Sequence, residues 1–369
     1  MGDNSFGKRF VITSFGESHG NLIGIIIDGV PAGLKFDLDL IQKELDKRRP
    51  GTSDMASSRK ELDEVKLLSG VFNHKTTGAP LCLVIENKDV DSSKYEIYKK
   101  YLRPSHVDFS LLTKYGGFAD YRGSGRFSGR LTASFVLVGV IAKQILAKLG
   151  IIVFAYTKSI GNIIDDERYN IKNYKELLER REKSYVRTIN TKKSHLMEQL
   201  VKEIKDKKDS IGGRVKCIVI NFPKGVGGPM FNSIESRISH AIFSIPAVKG
   251  IEFGAGFKAT EMKGSKHNDP WLIKNGKIKT SKNDSGGIIG GITTGMPIEF
   301  TIAIKPVPTI GTAQKTVNLE TMENVEIEFS GRHDVCIVPR VIPVVEAMTA
   351  IVLTDFLLIE GIIPPVYKS

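Results

Sequence analysis

The sequence predicts one soluble domain built from both β-strands and buried helices, and three observations carry that expectation. Segments 22–28, 81–86, 215–220 and 298–304 are short runs rich in aliphatic and β-branched residues, the pattern of core strands. Two longer segments, Leu131–Leu149 and Val341–Ile359, are apolar around most of their circumference, as central core helices are. No fixed-period repeat and no low-complexity linker divides the 369 residues. A single domain over 1–369 is therefore expected, long enough to bury a large core.

Leu22–Asp28 reads as a buried strand ended by Gly29, Pro31 and Gly33. Asp37 or Asp39 can cap a helix with Leu38, Ile41 and Leu45 on one face, ending at Lys47–Gly51, where cations precede a proline–glycine breaker. Residues 51–60 are polar and read as a mobile loop, and Leu81–Glu86 is the next strand. The apolar helix from Leu131 stops at Gly150, a C-terminal signal.

Between 158 and 210 charge density climbs, and Leu196, Met197, Leu200, Val201 and Ile204 form only a narrow stripe. That is too little for a separate core, so a peripheral, charged helical insertion is expected. Val215–Ile220 and Ile298–Ile304 return to strand patterns, and alternation in the latter with Glu299, Thr301 and Ala303 predicts one buried face. Val341–Ile359 carries Pro343, Glu346 and Asp355, which fits a buried helix better than a membrane span.

The net charge of +12 points to anionic partners, although much of the excess is lysine spread over the second half, as on a solvated surface. Cys82, Cys217 and Cys336 stand far apart without metal or disulfide spacing, and no apolar signal core opens the chain, so a reducing cytoplasm is expected.

The chemistry concentrates in residues 116–134. Arg122, Arg126 and Arg130 recur every four residues, but Gly123, Gly125 and Gly129 lie among them, and each glycine costs a helix interior about 1 kcal/mol relative to alanine. A loop running into the helix near Leu131 is expected. It would offer bare backbone N–H groups, a helix N-terminus and forked guanidinia together, all suited to phosphates and carboxylates. A solvated glycine-rich surface loop is the plainer alternative.

Gly16–Gly20 sets His19 between glycines, and Arg103–Asp108 sets His106 near an arginine and an aspartate. Histidine can donate or hold a proton near neutrality. Gly331–Asp334 precedes the last apolar helix, and Lys305 ends a strand. Each motif alone reads equally as structure: a core histidine, a turn with a capping aspartate, a rigid edge turn. There is no Walker A sequence and no His-Glu-x-x-His, and the glycines at 123, 125 and 129 miss dinucleotide spacing by one residue. A hydrolase assembled from Ser18, His19 and Asp334 lacks a nucleophile elbow.

Together these motifs resemble chorismate synthase over nearly the whole chain. They run from Phe15–Gly20 and Arg48–Ser53 through Arg103–Asp108, Asp120–Arg130, Asp209–Gly213 and Ala247–Gly250 to Gly286–Ile292, Lys305–Pro306 and Gly331–Asp334. The resemblance implies an α+β sandwich with a helical core between antiparallel β-sheets, assembled as a homotetramer. It implies a carbon–oxygen lyase that removes phosphate from 5-enolpyruvylshikimate 3-phosphate by 1,4-anti elimination to give chorismate. Reduced FMN is required but not consumed, its reducing equivalents coming from NADPH or an outside reductant. Neither nucleic acid nor membrane is a partner on this reading.

By resemblance, Arg48, Arg130 and Arg332 face substrate or cofactor, with Arg49 as a further substrate contact. Arg126, Phe127, Ser128, Ala247, Gly290, Lys305, Thr309 and Arg332 line the flavin site. His19 would serve the departing phosphate and His106 would protonate the reduced flavin. Asp334 would help flavin N5 take the proton from carbon 6.

The chain departs from the usual family pattern at Phe127 and Gly129, at Asn283–Ser285, at Val335, and at Asp54, where many members carry arginine. Arg49 or Arg59 could substitute there. Two other classes compete: a nucleic-acid binder stacking bases on Tyr121 and Phe127, and an ordinary flavin oxidoreductase.

Overall fold

A computed structural model of the chain describes residues 2–48, 63–88, 92–167, 170, 173–329 and 334–368. Arg49, Arg332, His333 and the polar loop 51–60 lie outside the described residues.

The first sheet opens with β1 (Ser5–Phe6), β2 (Val11–Gly16) and β3 (Leu22–Asp28), joined antiparallel. Helix α1 (Leu38–Asp46) follows, and the Asp37 carboxylate accepts from the Leu40 N–H as its cap. Ile41 and Leu45 are buried, whereas Leu38, in the first turn, is 38% exposed; the expected three-residue face begins one turn later. β4 (Val65–Ser69), the short hairpin β5 (Val71–Phe72) with β6 (Lys75–Thr76), and β7 (Leu81–Glu86) come next. The sheet order is β1-β2-β3-β7-β4. Ile23, Ile25 and Ile27 of β3 and Leu81, Leu83 and Ile85 of β7 are fully buried, so alternate side chains of neighbouring strands supply the inner face.

After α2 (Asp108–Tyr115), tight turns over 122–131 lead into α3 (Thr132–Ala147). β8 (Ile152–Ile160), β9 (Ile163–Ile164), α4 (Tyr174–Lys183), α5 (Thr191–Asp206) and β10 (Gly213–Ile220) follow. Residues 158–160 thus complete a sheet strand, and α4 and α5 are the helices of the charged 158–210 stretch.

Next come α6 (Ile234–Phe243), β11 (Val248–Phe253), the single turn α7 (Gly264–His267) and the hairpin β12 (Trp271–Lys274) with β13 (Lys277–Thr280). A second hairpin, β14 (Ile288–Ile289) with β15 (Ile292–Thr293), precedes β16 (Ile298–Ile304). The hairpin β17 (Gln314–Asn318) with β18 (Glu323–Ile327) leads to α8 (Val338–Ile359). The second sheet is antiparallel, in the order β11-β16-β10-β8-β9.

The two sheets enclose a helical layer. α3 packs on β3 and β7, and α8 packs on β8 and β10. α3 and α8 meet where Gly139 faces Ala347: a Cβ on Gly139 would lie 2.2 Å from that of Ala347, so glycine there sets how closely the helices approach. Gly129–Ala147, which adds the preceding turn to α3, and α8 are both long and apolar enough to cross a membrane by composition, yet most of their surface is buried in protein, as expected of core helices.

Candidate active site

A cleft of about 630 Å³ opens where five distant segments meet, with Arg48 and Tyr95 adding to its lining. The segments are the loop 103–107 before α2, the turns 123–132, residues 243–247 after α6, residues 305–309 after β16, and the entry to α8 from Asp334. Such a volume suits small organic ligands. The loop geometry follows from its glycines. Gly123, Ser124 and Gly125 all take positive φ, and a Cβ on Gly123 would lie 2.3 Å from His19 Cδ2. The helix the sequence argued against is indeed broken there, and Ser128 caps the restart by accepting from the Arg130 N–H.

Of the residues singled out from sequence, Arg48, His106, Arg126, Phe127, Ser128, Arg130, Ala247, Lys305, Thr309 and Asp334 line this cleft. Two others do not. His19 stands behind Gly123, its Nδ1 3.0 Å from Ser92 Oγ and its ring edge-on to Tyr95. Gly290 lies in the β14–β15 turn, beside Gly291, whose carbonyl accepts from the Ile234 N–H.

A polar chain threads the cleft's wall. Asn87 donates to the carbonyls of Glu17 and Gly20, which fixes the His19 loop, and accepts from Arg130 Nε at 2.6 Å. Arg130 Nη1 donates to Asp63 Oδ1 at 2.8 Å. Arg48 Nη1 lies 3.9 Å from the other oxygen of Asp63. Arg48 itself is anchored through Nε to Thr132 Oγ1 and through Nη2 to the Gly129 carbonyl. Arg340, in the first turn of α8, donates from Nε to the Arg48 carbonyl and pairs through Nη1 with Asp334. Residues from both ends of the chain are thereby held in one series of hydrogen bonds and ion pairs.

On the opposite wall His106 Nε2 is 3.0 Å from Thr309 Oγ1, and Lys305 Nζ donates to the Ser105 carbonyl. Arg126 is turned away toward the first sheet, where it donates to the carbonyls of Ser14 and Gly16. Arg103 is gripped by Asp108, donates to Ser124 Oγ, and lies over the Tyr98 ring.

The electrostatics are lopsided. Among the described lining residues, Arg48, Arg103, Arg126, Arg130, Lys305 and Arg340 face a single lining carboxylate, Asp334. Burial, reinforced by Arg340 and Arg130, pulls the Arg48 guanidinium down to about 9, against the support of Asp63 and Asp334. It is still cationic at neutral pH. Burial and then Lys249 lower Lys305. Cations that depress one another in a partly dry cleft are relieved by an incoming anion.

Arg103, Arg340, Asp63 and Asn87 hold places here that no local sequence signal assigns to them. Arg340 was the most visible of these, a lone cation in the apolar run from Ile337 to Val345.

The family model described as chorismate synthase matches residues 10–358. A chorismate synthase of Dehalococcoides mccartyi (strain ATCC BAA-2100 / JCM 16839 / KCTC 5957 / BAV1) is 50% identical, covering 99% of this chain and 100% of the relative. One from Korarchaeum cryptofilum (strain OPF8) is 47% identical over 97% of this chain and 98% of its own. Among solved structures, a crystal structure of chorismate synthase superposes with a TM-score of 0.77 at 31% identity, covering 96% of this chain and 93% of that one.

Proposed function

Because the chain belongs to the chorismate synthase family, we propose that its cleft holds 5-enolpyruvylshikimate 3-phosphate together with reduced FMN. The reaction is that of a carbon–oxygen lyase in the shikimate pathway: 1,4-anti elimination of phosphate to give chorismate. The family works with a flavin, and identifying it here as FMN is part of the proposal.

The observation that carries this reading is a single cleft whose lining combines a surplus of cations with apolar side chains. Phe127, Ile245, Ala247, Val307, Ile337 and Val341 offer flat apolar surface for an isoalloxazine ring, and the guanidinia and Lys305 suit phosphates and carboxylates. Phe127, Ser128, Ala247, Lys305 and Thr309 would hold the flavin, with Arg126 shaping the lining through its grip on the first sheet. When bound, reduced flavin supplies the electron density that eases loss of phosphate from a substrate whose carbon-6 proton is poorly acidic.

The remaining roles fall to side chains of this chain. Arg48 and Arg130 orient the substrate's anionic groups, with Arg49 and Arg332 as further contacts. His106, steadied by Thr309, holds a proton beside the cofactor, and Asp334, steadied by Arg340, faces the same space. His19, which stands behind Gly123 and outside the cleft's lining, would serve the departing phosphate only if the ligand reaches past that glycine. The His19 loop is tied to Arg130 through Asn87.

We also propose a homotetramer in the cytoplasm. Met230, Phe231, Ile289 and Ile292 expose apolar surface near the β14–β15 turn, as subunit interfaces do. Gly290 would then meet a flavin only from a neighbouring copy. Free Cys82, Cys217 and Cys336 fit a reducing compartment. Sedimentation at about four chain masses is the expected result; a monomer at working concentration would remove the tetramer from the proposal.

The function is tested anaerobically with reduced FMN and the named substrate. Phosphate and chorismate should appear in equal amounts with no net flavin oxidation. Full turnover without flavin, or one flavin oxidised per product, would contradict the reading. The competing nucleic-acid function finds little support in the loop, because Arg122 and Arg126 are folded onto Asp120 and strand carbonyls.

A further inference from the structure

Asp63 has no part in the reaction as read so far, yet its placement is too constrained to be incidental. It sits two residues before β4, and its backbone is held by Gln42 of α1. Gln42 Nε2 donates to the Asp63 carbonyl at 2.8 Å, and Gln42 Oε1 accepts from the Val65 N–H at 3.1 Å. The side chain is 1% exposed. One oxygen takes the Arg130 hydrogen bond, while the other, facing Arg48 at 3.9 Å, accepts none among the described residues.

A buried carboxylate is expensive to desolvate, and full hydrogen bonding is what normally offsets that cost. Two other buried carboxylates are satisfied this way, although among the described residues a buried oxygen of Glu235 also accepts no hydrogen bond. Asp355 accepts from the N–H groups of Lys8, Arg9 and Phe10 and from Arg237. Asp165 accepts from Thr188 Oγ1 and from the N–H groups of Ile189 and Asn190. Asp63 is only half satisfied, and the groups it faces are the two described arginines assigned to the substrate. It does not line the cleft itself, so it reaches them from behind the wall.

We propose that Asp63 is a positioning residue, a rigid anion that holds Arg48 and Arg130 side by side so that both guanidinia meet one anionic group of the substrate. The inference rests on the assignment of Arg48 and Arg130 to substrate. Two guanidinia at close quarters repel one another. The groups facing Arg48 are Arg340 and Arg130, which oppose its charge, and Asp63 and Asp334, which support it. Without Asp63 the pair would spread in the empty cleft, and each binding event would have to gather them again. Preorganisation of this kind affects association more than the chemical step.

Asp63→Asn keeps the shape and removes the charge. It should raise KM for 5-enolpyruvylshikimate 3-phosphate about tenfold while kcat stays within about threefold, the pattern of lost ground-state binding. Added to Arg130→Gln, the same change should cost less than about threefold more, because its partner is already gone. A folded Asp63→Asn enzyme with wild-type KM, or one that loses kcat alone, overturns the proposal. So does failure of both Asp63→Asn and Asp63→Ser to fold, which would assign the residue to the fold. Arg130→Gln by itself tests the underlying assignment: an unchanged KM there removes Arg130 from the substrate site whatever Asp63→Asn shows.

Discussion

Two clusters of buried charge meet on α8, and they are built on opposite rules. Near the middle of the helix, Glu346 accepts from Arg181 Nη1 at 2.6 Å and the Ala155 N–H at 2.9 Å through one oxygen, and from Lys143 Nζ at 2.5 Å through the other. Burial pushes this carboxyl up, but Lys143, Arg181 and the Ala155 N–H outweigh it and hold it down at about 2. The cluster ties α8 to α3, β8 and α4 and leaves neither carboxylate oxygen unused. At the start of the same helix, Arg340 belongs to a cleft where cations outnumber carboxylates among the described lining residues, and behind its wall Asp63 keeps an oxygen without a hydrogen bond. Closed pairing marks a structural tie, whereas surplus charge aimed at a cavity marks a place where a ligand completes the pairing.

The comparison can be broken by substitution. The largest expected effect is in the cleft: Asp334→Ala and His106→Ala should each lower kcat by roughly 100- to 10,000-fold, the range of general acid and base terms. Thermal unfolding should shift little. Wild-type rates in either variant would remove that residue from its assigned role. At the other cluster the pattern should invert. Glu346→Ala leaves Arg181 buried beside a lost partner and should destabilise the fold by about 3–5 kcal/mol, with KM near wild type at temperatures where the protein stays folded. A large KM change without loss of stability would erase the distinction drawn between the clusters.

A smaller effect sharpens the same contrast. The folded Glu346 carboxyl is depressed to about 2 from an ordinary 4.5. Its contribution is therefore fully present above 4.5 and is lost as pH falls from there toward 2. Melting curves between neutral pH and pH 3 should show wild type losing stability on acidification more steeply than Glu346→Gln. Parallel curves would mean that Glu346 is not held ionised by its partners.

Much of this was legible in the sequence, and the rest was not for definite reasons. Ile298–Ile304 alternates so regularly that its strand and buried face follow from periodicity alone. The glycines at 123 and 125 exclude a helix because their backbone takes positive φ, which side-chain-bearing residues avoid. The arginine loop, His106, Lys305 and Asp334 stand out in the sequence as local motifs, and their assigned roles come from the resemblance to chorismate synthase. Asp63 and Asn87 were missed because their meaning lies entirely in partners far along the chain: Arg130 for both, and Glu17 and Gly20 for Asn87. No spacing rule reports such contacts. Gly290 shows the converse, a motif glycine that the fold of one chain leaves outside the cleft. The charged stretch from 158 reads as a helical insertion, and the last residues of β8 are hidden in it because Thr157, Lys158 and Ser159 interrupt the strand's apolar run.

The most direct test is a crystal structure of the protein soaked with FMN and 5-enolpyruvylshikimate 3-phosphate. The account predicts the substrate's anionic groups against Arg48 and Arg130, and the flavin ring against Ala247 and Thr309, in one shared cavity. Ligands bound elsewhere, or a substrate oriented with its charged groups away from both arginines, would contradict it.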